Sequence, residues 1–482
     1  MNRLSVLLSA AGLSAAACAA VRPASPFTDG AVLQRDRPVP VWGTAEPGEA
    51  VTVSFAGQER TATADAEGGW RVDLPPLSAS EEPRDLVVTA QSNDRTSSSQ
   101  TVHDVLVGEV WFCSGQSNCE LPLWGPRCRF RDCDGYMTAQ TTDEPLVRYA
   151  YCSTYQQTNS PLAFATRPVK WRTFTRENLL CCDANRKWGF SAMGVYFALE
   201  LRRALKVPVG IVGAYWGGSP IERWMADGSG AMFNAMVAPW RPYALKGVIW
   251  YQGCSNAGRH ETYCAKMHEL YDGWAKAFEN PALGFRFVQI APWGNYPGKD
   301  GVNNLVGLQE AQARFAAEEP HAAMAVVNDF GNLHDIHPNV KSVVGRRLAA
   351  LALKHDYGRD LVADSPVLRT AKVEGATFVL SFDNVREWTF YTDDQSVPAG
   401  LFEIAGEDGV FRPAVVENLL YRKNVGGSYY DGEIVGTDLR VSAPGVAEPK
   451  ELRYLYRRPY RGWLVNEANL PLGVFHVANR DI

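Results

Sequence analysis

The 482-residue sequence has no long run of lysine or arginine, no Cys-x-x-Cys pair, no Gly-x-Ser-x-Gly and no internal repeat. Without a basic run, and with a net charge of −5, it has no electrostatic footprint for binding nucleic acid. With no Cys-x-x-Cys, and no histidine at ligand spacing from a cysteine pair, it shows no zinc pattern, and no metal is expected. The missing Gly-x-Ser-x-Gly removes the α/β-hydrolase elbow from consideration. What is present is an ordinary folding composition, 46% hydrophobic and 21% charged. Single cores stop growing near about 250 to 300 residues, so two or three domains are expected.

The start, MNRLSVLLSAAGLSAAACAA, has Arg3, an apolar centre and a small-residue end. Residues 1–20 therefore read as a secretory signal, too short for a stable span, and the destination is secreted or periplasmic with no further membrane role. Cys18 leaves with it. Nine cysteines remain, at 113, 119, 128, 133, 152, 181, 182, 254 and 264. In an oxidising compartment disulfides are the expected use of that cluster, with one thiol left over.

Residues 21–105 alternate apolar and polar in short runs broken by Gly, Pro and Asp, which predicts an antiparallel β domain. From 106 to 358 the pattern changes. DVLVGEVWFCSG, VPVGIVGAYWGG, LKGVIWYQG and FRFVQIAPW read as buried strands, and MGVYFALELRRAL, MHELYDGWAKAF, LQEAQARFAAEE and VKSVVGRRLAALALKH read as helices. Strands alternating with helices predict a doubly wound α/β layer whose ligands sit beyond the carboxyl ends of the strands. Residues 359–482 return to β pattern. Two arrangements fit them, a unit of their own or strands added to the N-terminal β domain.

Three strand ends finish in small and polar residues, SGQSN, WGGSPIERW and YQGCSN, and a fourth segment, NDFGNLHDIHPNV, precedes a helix. Ser117 stands two residues after Gly115 in a turn, where a hydroxyl is exposed beside free helix N–H groups. A serine nucleophile needs a base, and His337 is the best placed histidine, with Asp329 and Asp335 nearby to orient it. A tetrahedral intermediate needs donors, for which Gly217, Gly218, Gln252 and Asn256 are the candidates. Trp216, Trp224, Trp250 and Trp293 are candidates for stacking on sugar faces. The competing readings are turn, cap and core roles for the same residues.

Taken together, VLQRDRPVPVWGTAEPGEAVTVSF, DVLVGEVWFCSGQSN, FSAMGVYFALEL, VPVGIVGAYWGGSPIERWM, LKGVIWYQGCSN, DIHPNVKSVVGRRLAALAL, LFEIAGEDGVFRPA and LVNEANLPLGVF resemble, in order, the sialate O-acetylesterase group of carbohydrate esterases, within the SGNH hydrolase superfamily. The resemblance covers nearly all of the chain after residue 20. It implies an SGNH-type, flavodoxin-like parallel sheet sandwiched by helices and flanked by N- and C-terminal antiparallel β domains. It also implies hydrolysis of acetyl esters on carbohydrates, of sialic acid or a polysaccharide such as xylan, without a cofactor. By position Ser117 is then the nucleophile and His337 the base, with Asp335 or Asp329 as the acid, or no acid at all, because His334 stands where many SGNH enzymes carry it. Two departures stand out. Cys119 and Cys254 replace the family's usual Met and Glu, which suggests a Cys119–Cys254 disulfide across the nucleophile turn and leaves Cys113 as the odd thiol. The lost Glu also admits an alternative, a catalytically impaired carbohydrate-binding protein. A thiol or metal enzyme built on the cysteines is the third reading.

Overall fold

Alternation builds the N-terminal strands. Along Ala50–Phe55 and Gly69–Leu74 every second side chain is buried, so each strand has one inward face. Val39–Thr44 pairs antiparallel with Gly69–Leu74, and Ala50–Phe55 pairs antiparallel with Gln58–Thr63 and Ser80–Gln91. The computed structural model describes residues 20–91, 97–124, 132–151, 156–180, 190–293, 305–331, 335–392, 401–422, 430–456 and 462–478. The leader read at 1–20 lies outside these except for Ala20, as do Cys128, Cys152, Cys181, Cys182 and His334.

The strand Ser97–Gly115 (β1) is 19 residues long. Its first part pairs antiparallel with Ser80–Gln91, and Leu106–Gly108 runs parallel to Val32–Gln34. From Glu109 to Gly115 it acquires new parallel partners, Val209–Tyr215 (β2) and Gly247–Tyr251 (β3). The compositional shift expected to mark a domain boundary at 105/106 is therefore a change of partners within one continuous strand. One hydrophobic core also runs through both regions, from Val41 and Val53 to Phe112 and Phe285.

Gly284–Val288 (β4) and Ala322–Ala325 (β5) complete a parallel sheet in the order β2-β1-β3-β4-β5. This 2-1-3-4-5 order is the flavodoxin-like one. Two further strands, Glu144–Tyr151 and the antiparallel Trp171–Phe174, widen it on the β2 side. A single turn, Ser117–Glu120 (α1), follows β1, and the layer helices are Ala192–Leu205 (α2), Tyr263–Ala277 (α3), Leu305–Glu318 (α4) and Lys341–His355 (α5). All residues of β2, β3 and β4 are buried, as both-sided helix cover requires. Phe112, Val212 and Val248 face the core that holds Trp274 of α3 and Phe315 of α4. Their neighbours Trp111, Ile211 and Ile249 face the core that holds Phe197 of α2 and Leu348 of α5.

Helix α2 starts where Ser191 Oγ accepts the Gly194 N–H at 3.2 Å, a cap worth about 1 kcal/mol, and stops where Lys206 turns left-handed. At Gly345 a Cβ would come within 2.5 Å of Tyr196 Cβ, so α5 and α2 meet at a distance only glycine allows.

Residues after Val367 form a seven-stranded and a four-stranded sheet, and they share no strand with the N-terminal sheets among the described residues. Their core, including Phe378, Phe402 and Tyr454, takes in Val306 of α4. The unit docks through Asn328 Nδ2 donating to Leu472 O (3.2 Å) and Arg347 Nη2 donating to Asn469 O (3.2 Å). Among the described residues no helix is long and apolar enough to cross a membrane.

Candidate active site

From Val105 to Leu123 every residue is buried except Ser117. The exposure follows from the turn that ends β1. Gly115 has φ +143°, and a Cβ there would meet Tyr251 O at 2.3 Å, so the chain passes tightly over β3. Gln116 N–H then donates to Tyr251 O (3.0 Å), and α1 begins at Ser117. The helix expected after the nucleophile is only this four-residue turn.

His337 reaches the same point from the loop before α5. Its Nε2 lies 2.9 Å from Ser117 Oγ, across 220 positions of sequence. Asp335 Oδ1 accepts the His337 main-chain N–H at 2.8 Å and stands 3.3 Å from Nδ1. Burial pushes the His337 imidazole below its ordinary value, and the Lys341 ammonium acts in the same direction, while Asp335 opposes both. A neutral imidazole beside a hydroxyl is what a general base requires.

Asp329, the other acid considered, is committed elsewhere. Arg347 grips both its oxygens, at 2.7 and 2.5 Å, and both side chains are less than a tenth exposed. The pair braces the α5 face, so of the two acids Asp335 is the one on His337.

The predicted donors divide. Gln252 is fully buried and its Nε2 donates to Ser219 O (3.1 Å) and Asn256 Oδ1 (2.8 Å), while its Oε1 accepts from Tyr263 OH (2.7 Å). Asn256, 1% exposed, accepts from Ile221 N–H and donates to Glu222. Both amides brace the loop after β2, and because a primary amide has only two hydrogens, the Gln252 amide has none left for a ligand, whereas one hydrogen of Asn256 is given to Glu222. Gly217 does lie against Ser117, its Cβ position 3.3 Å from Ser117 Cβ, but its N–H donates to Glu120 Oε2 at 2.5 Å. Gly218 is exposed, with open space where a side chain would be.

The expected Cys119–Cys254 disulfide is absent. Both thiols are free, and Cys119 Sγ instead stands 3.5 Å from Cys113 Sγ with both residues fully buried. The position after the nucleophile turn points back under β1 rather than across to β3. Of the four tryptophans, Trp224 and Trp250 are fully buried and pack edge to face, which excludes stacking on a ligand, whereas Trp216 and Trp293 are half-buried.

Sequence reading missed Gln116, Asn118, Glu120 and Lys341. Gln116 Oε1 accepts the Gly253 and Ser255 N–H groups at 3.0 and 3.4 Å, tying the turn after β1 to the turn after β3. Asn118 Nδ2 donates to Ile336 O at 3.0 Å, and Lys341 Nζ donates to Asn118 Oδ1 at 2.7 Å. The density of polar residues in GQSN was the available signal, whereas Lys341, first residue of an apolar helix, carried none. Among the described residues two clusters have metal-ligand atoms within 4.8 Å of one another, Cys264 with His268 and Glu318, and Asp132 with Cys133 and Asp134. Neither includes Ser117 or His337, and Arg314 lies 3.7 Å from Glu318 in the first.

A hydroxyl on an imidazole, beside a carboxylate, at the carboxyl edge of a doubly wound sheet defines the class of esterases and related acyl-transfer hydrolases. Comparison with known proteins narrows that class. Residues 107–354 match the family model for carbohydrate esterases described as sialic acid-specific acetylesterases. Human sialate O-acetylesterase is 28% identical over 375 residues, covering 68% of this chain and 69% of the human one. The rat protein of the same name is 27% identical over 443 residues, covering 76% of this chain and 79% of its own. The crystal structure of a carbohydrate acetylesterase from Xanthomonas citri superposes with a TM-score of 0.81 at 32% identity, covering 95% of this chain and 99% of that one. The chain belongs to the sialic acid-specific acetylesterase family of carbohydrate esterases, and it is a carbohydrate O-acetylesterase.

Proposed function

We propose that the enzyme works through an acetyl-serine intermediate on Ser117. The observation that carries this is the 2.9 Å contact between Ser117 Oγ and His337 Nε2, made by the one half-buried residue in an otherwise buried stretch. Ser117 Oγ attacks the acetyl carbonyl carbon while its proton passes to His337 Nε2. The carbon–oxygen bond to the sugar breaks, and the departing oxygen takes that proton. Water, deprotonated by His337, then attacks the acetyl-serine, and acetate leaves as Ser117 recovers its proton. Asp335 holds the imidazole in orientation. The negative oxygen of each tetrahedral intermediate is placed against the main-chain N–H groups of Ser117 and Gly218, with Gly217 held in register by Glu120.

The substrate is an O-acetylated sugar, sialic acid or an acetylated polysaccharide such as xylan, with half-buried Trp216 and Trp293 available to stack on a ring. The N-terminal pattern supports export. Ser117→Ala is expected to lower kcat by about 10⁴-fold or more and to abolish the burst of chromophore from an aryl acetate, with the fold intact. An unchanged burst refutes the serine route. Acetate release from acetylated sialic acid against acetylated xylan decides the sugar.

A further inference from the structure

Lys341 is the most deeply placed cation near the site. It is fully buried, and among the described residues no carboxylate oxygen lies within 4 Å of its Nζ. Two donors are used at short range, to Asn118 Oδ1 and to Pro338 O, each at 2.7 Å. Nζ also lies 5.2 Å from the centre of the Tyr251 ring. Asn118 follows the nucleophile and Pro338 follows the base, so one side chain grips both catalytic turns. Asn118 closes the same loop from its other end, donating to Ile336 O. The Lys341 main-chain N–H is itself fixed, donating to Asp132 Oδ2 at 2.7 Å.

We propose that Lys341 is a positioning residue that sets the Ser117–His337 distance by bridging the two turns, and whose ammonium, held on the carbonyl of the residue after His337, opposes a second positive charge there. This rests on the Ser117–His337 reading above.

Among the described residues the charged and titratable groups facing the pair, besides the Tyr251 ring, are these. Toward His337 they are Asp335 in its own turn and Lys341 on α5. Toward Lys341 they are Asp132, Cys119 on α1, Cys254 after β3 and Asp335. Burial lowers the Lys341 ammonium to about 7, against the pull of Asp132. The ammonium is therefore formed below pH 7, the range in which His337 would take its own proton. A positive charge on Lys341 there opposes a second one on the imidazole.

Two variants separate the bridge from the charge. Lys341→Gln removes the charge and shortens the bridge. Cys254→Glu leaves the bonds to Asn118 and Pro338 but sets a carboxylate near Nζ. The measurement is kcat/KM for an acetyl ester against pH, with a thermal melt of each variant. Both variants are expected to move the acid limb upward, by about one pH unit. Above that limb Lys341→Gln alone is expected to lose about tenfold in kcat, from the loosened turns. Acid limbs at the wild-type pH in folded variants overturn the proposal. If Lys341→Gln does not fold, Cys254→Glu decides the charge role by itself. Turnover by Ser117→Ala would instead overturn the serine reading, so the two failures are distinguishable.

Discussion

Two polar clusters stand just beyond neighbouring strands, Ser117 with His337 after β1 and Gln252 with Asn256 after β3, and they differ in what is left unsatisfied. Gln252 has its hydrogens and its oxygen engaged by buried partners, so it can only brace. Ser117 has one imidazole and an open side. Polar residues at the same sheet edge are left open to a ligand or closed into a brace according to whether the protein satisfies every polar atom. Burying an amide without partners costs about 1–3 kcal/mol, which is why the inner cluster is closed on itself.

Breaking the comparison from its reactive side has the largest effect. His337→Ala is expected to cost about 10⁴-fold in kcat with an unchanged melting temperature; a loss below about tenfold removes the base from its role. The two aspartates give the next test. Asp329→Ala leaves Arg347 buried and unpaired, so a stability loss of about 3–5 kcal/mol is expected in denaturant melts. Asp335→Ala is expected to leave stability nearly unchanged and lower kcat about 10²-fold. The reverse pattern would exchange their roles. Gln252→Ala is expected to cost about 1–3 kcal/mol of stability through its stranded partners, with kcat reduced far less than in His337→Ala. The smallest effect is in pH dependence. His337 titrates below its ordinary value of 6.5, so the acid limb of kcat/KM is expected below that pH. The sign follows from burial, which opposes protonation in the folded state, so activity and this residue's share of stability persist above that limb and are lost as pH falls through it.

Much of this was legible. Short apolar runs followed by helical spacing predicted the doubly wound layer, because parallel strands buried on both faces must be nearly continuous in apolar residues. Ser117 and His337 were visible because small and polar residues at such strand ends serve no core. The choice between Asp329 and Asp335 was not, since both lie within eight residues of His337 and only Arg347, eighteen positions from Asp329, separates them. Cys119 was read toward Cys254 because both are departures from the same family, yet its side chain points under β1 to Cys113. The change of pattern at 105/106 has a related cause. A strand can change partners without any change in its own backbone, so composition records the new surroundings and not the continuity.

By itself the sequence determined the layer architecture and the family, and it marked Ser117 and His337 as the hydroxyl and imidazole to look for. These depend on local periodicity and on residue type at strand ends, both written along the chain. The tertiary structure alone decided which acid stands beside His337, that both hydrogens of the Gln252 amide are engaged inside the protein, which thiols meet and that Lys341 is buried between the two turns. The acid and the lysine depend on polar atoms finding partners far along the chain, as Arg347 and Asp329 do across 18 positions and Lys341 and Asn118 across 223, and the others on which way a side chain turns at a strand end.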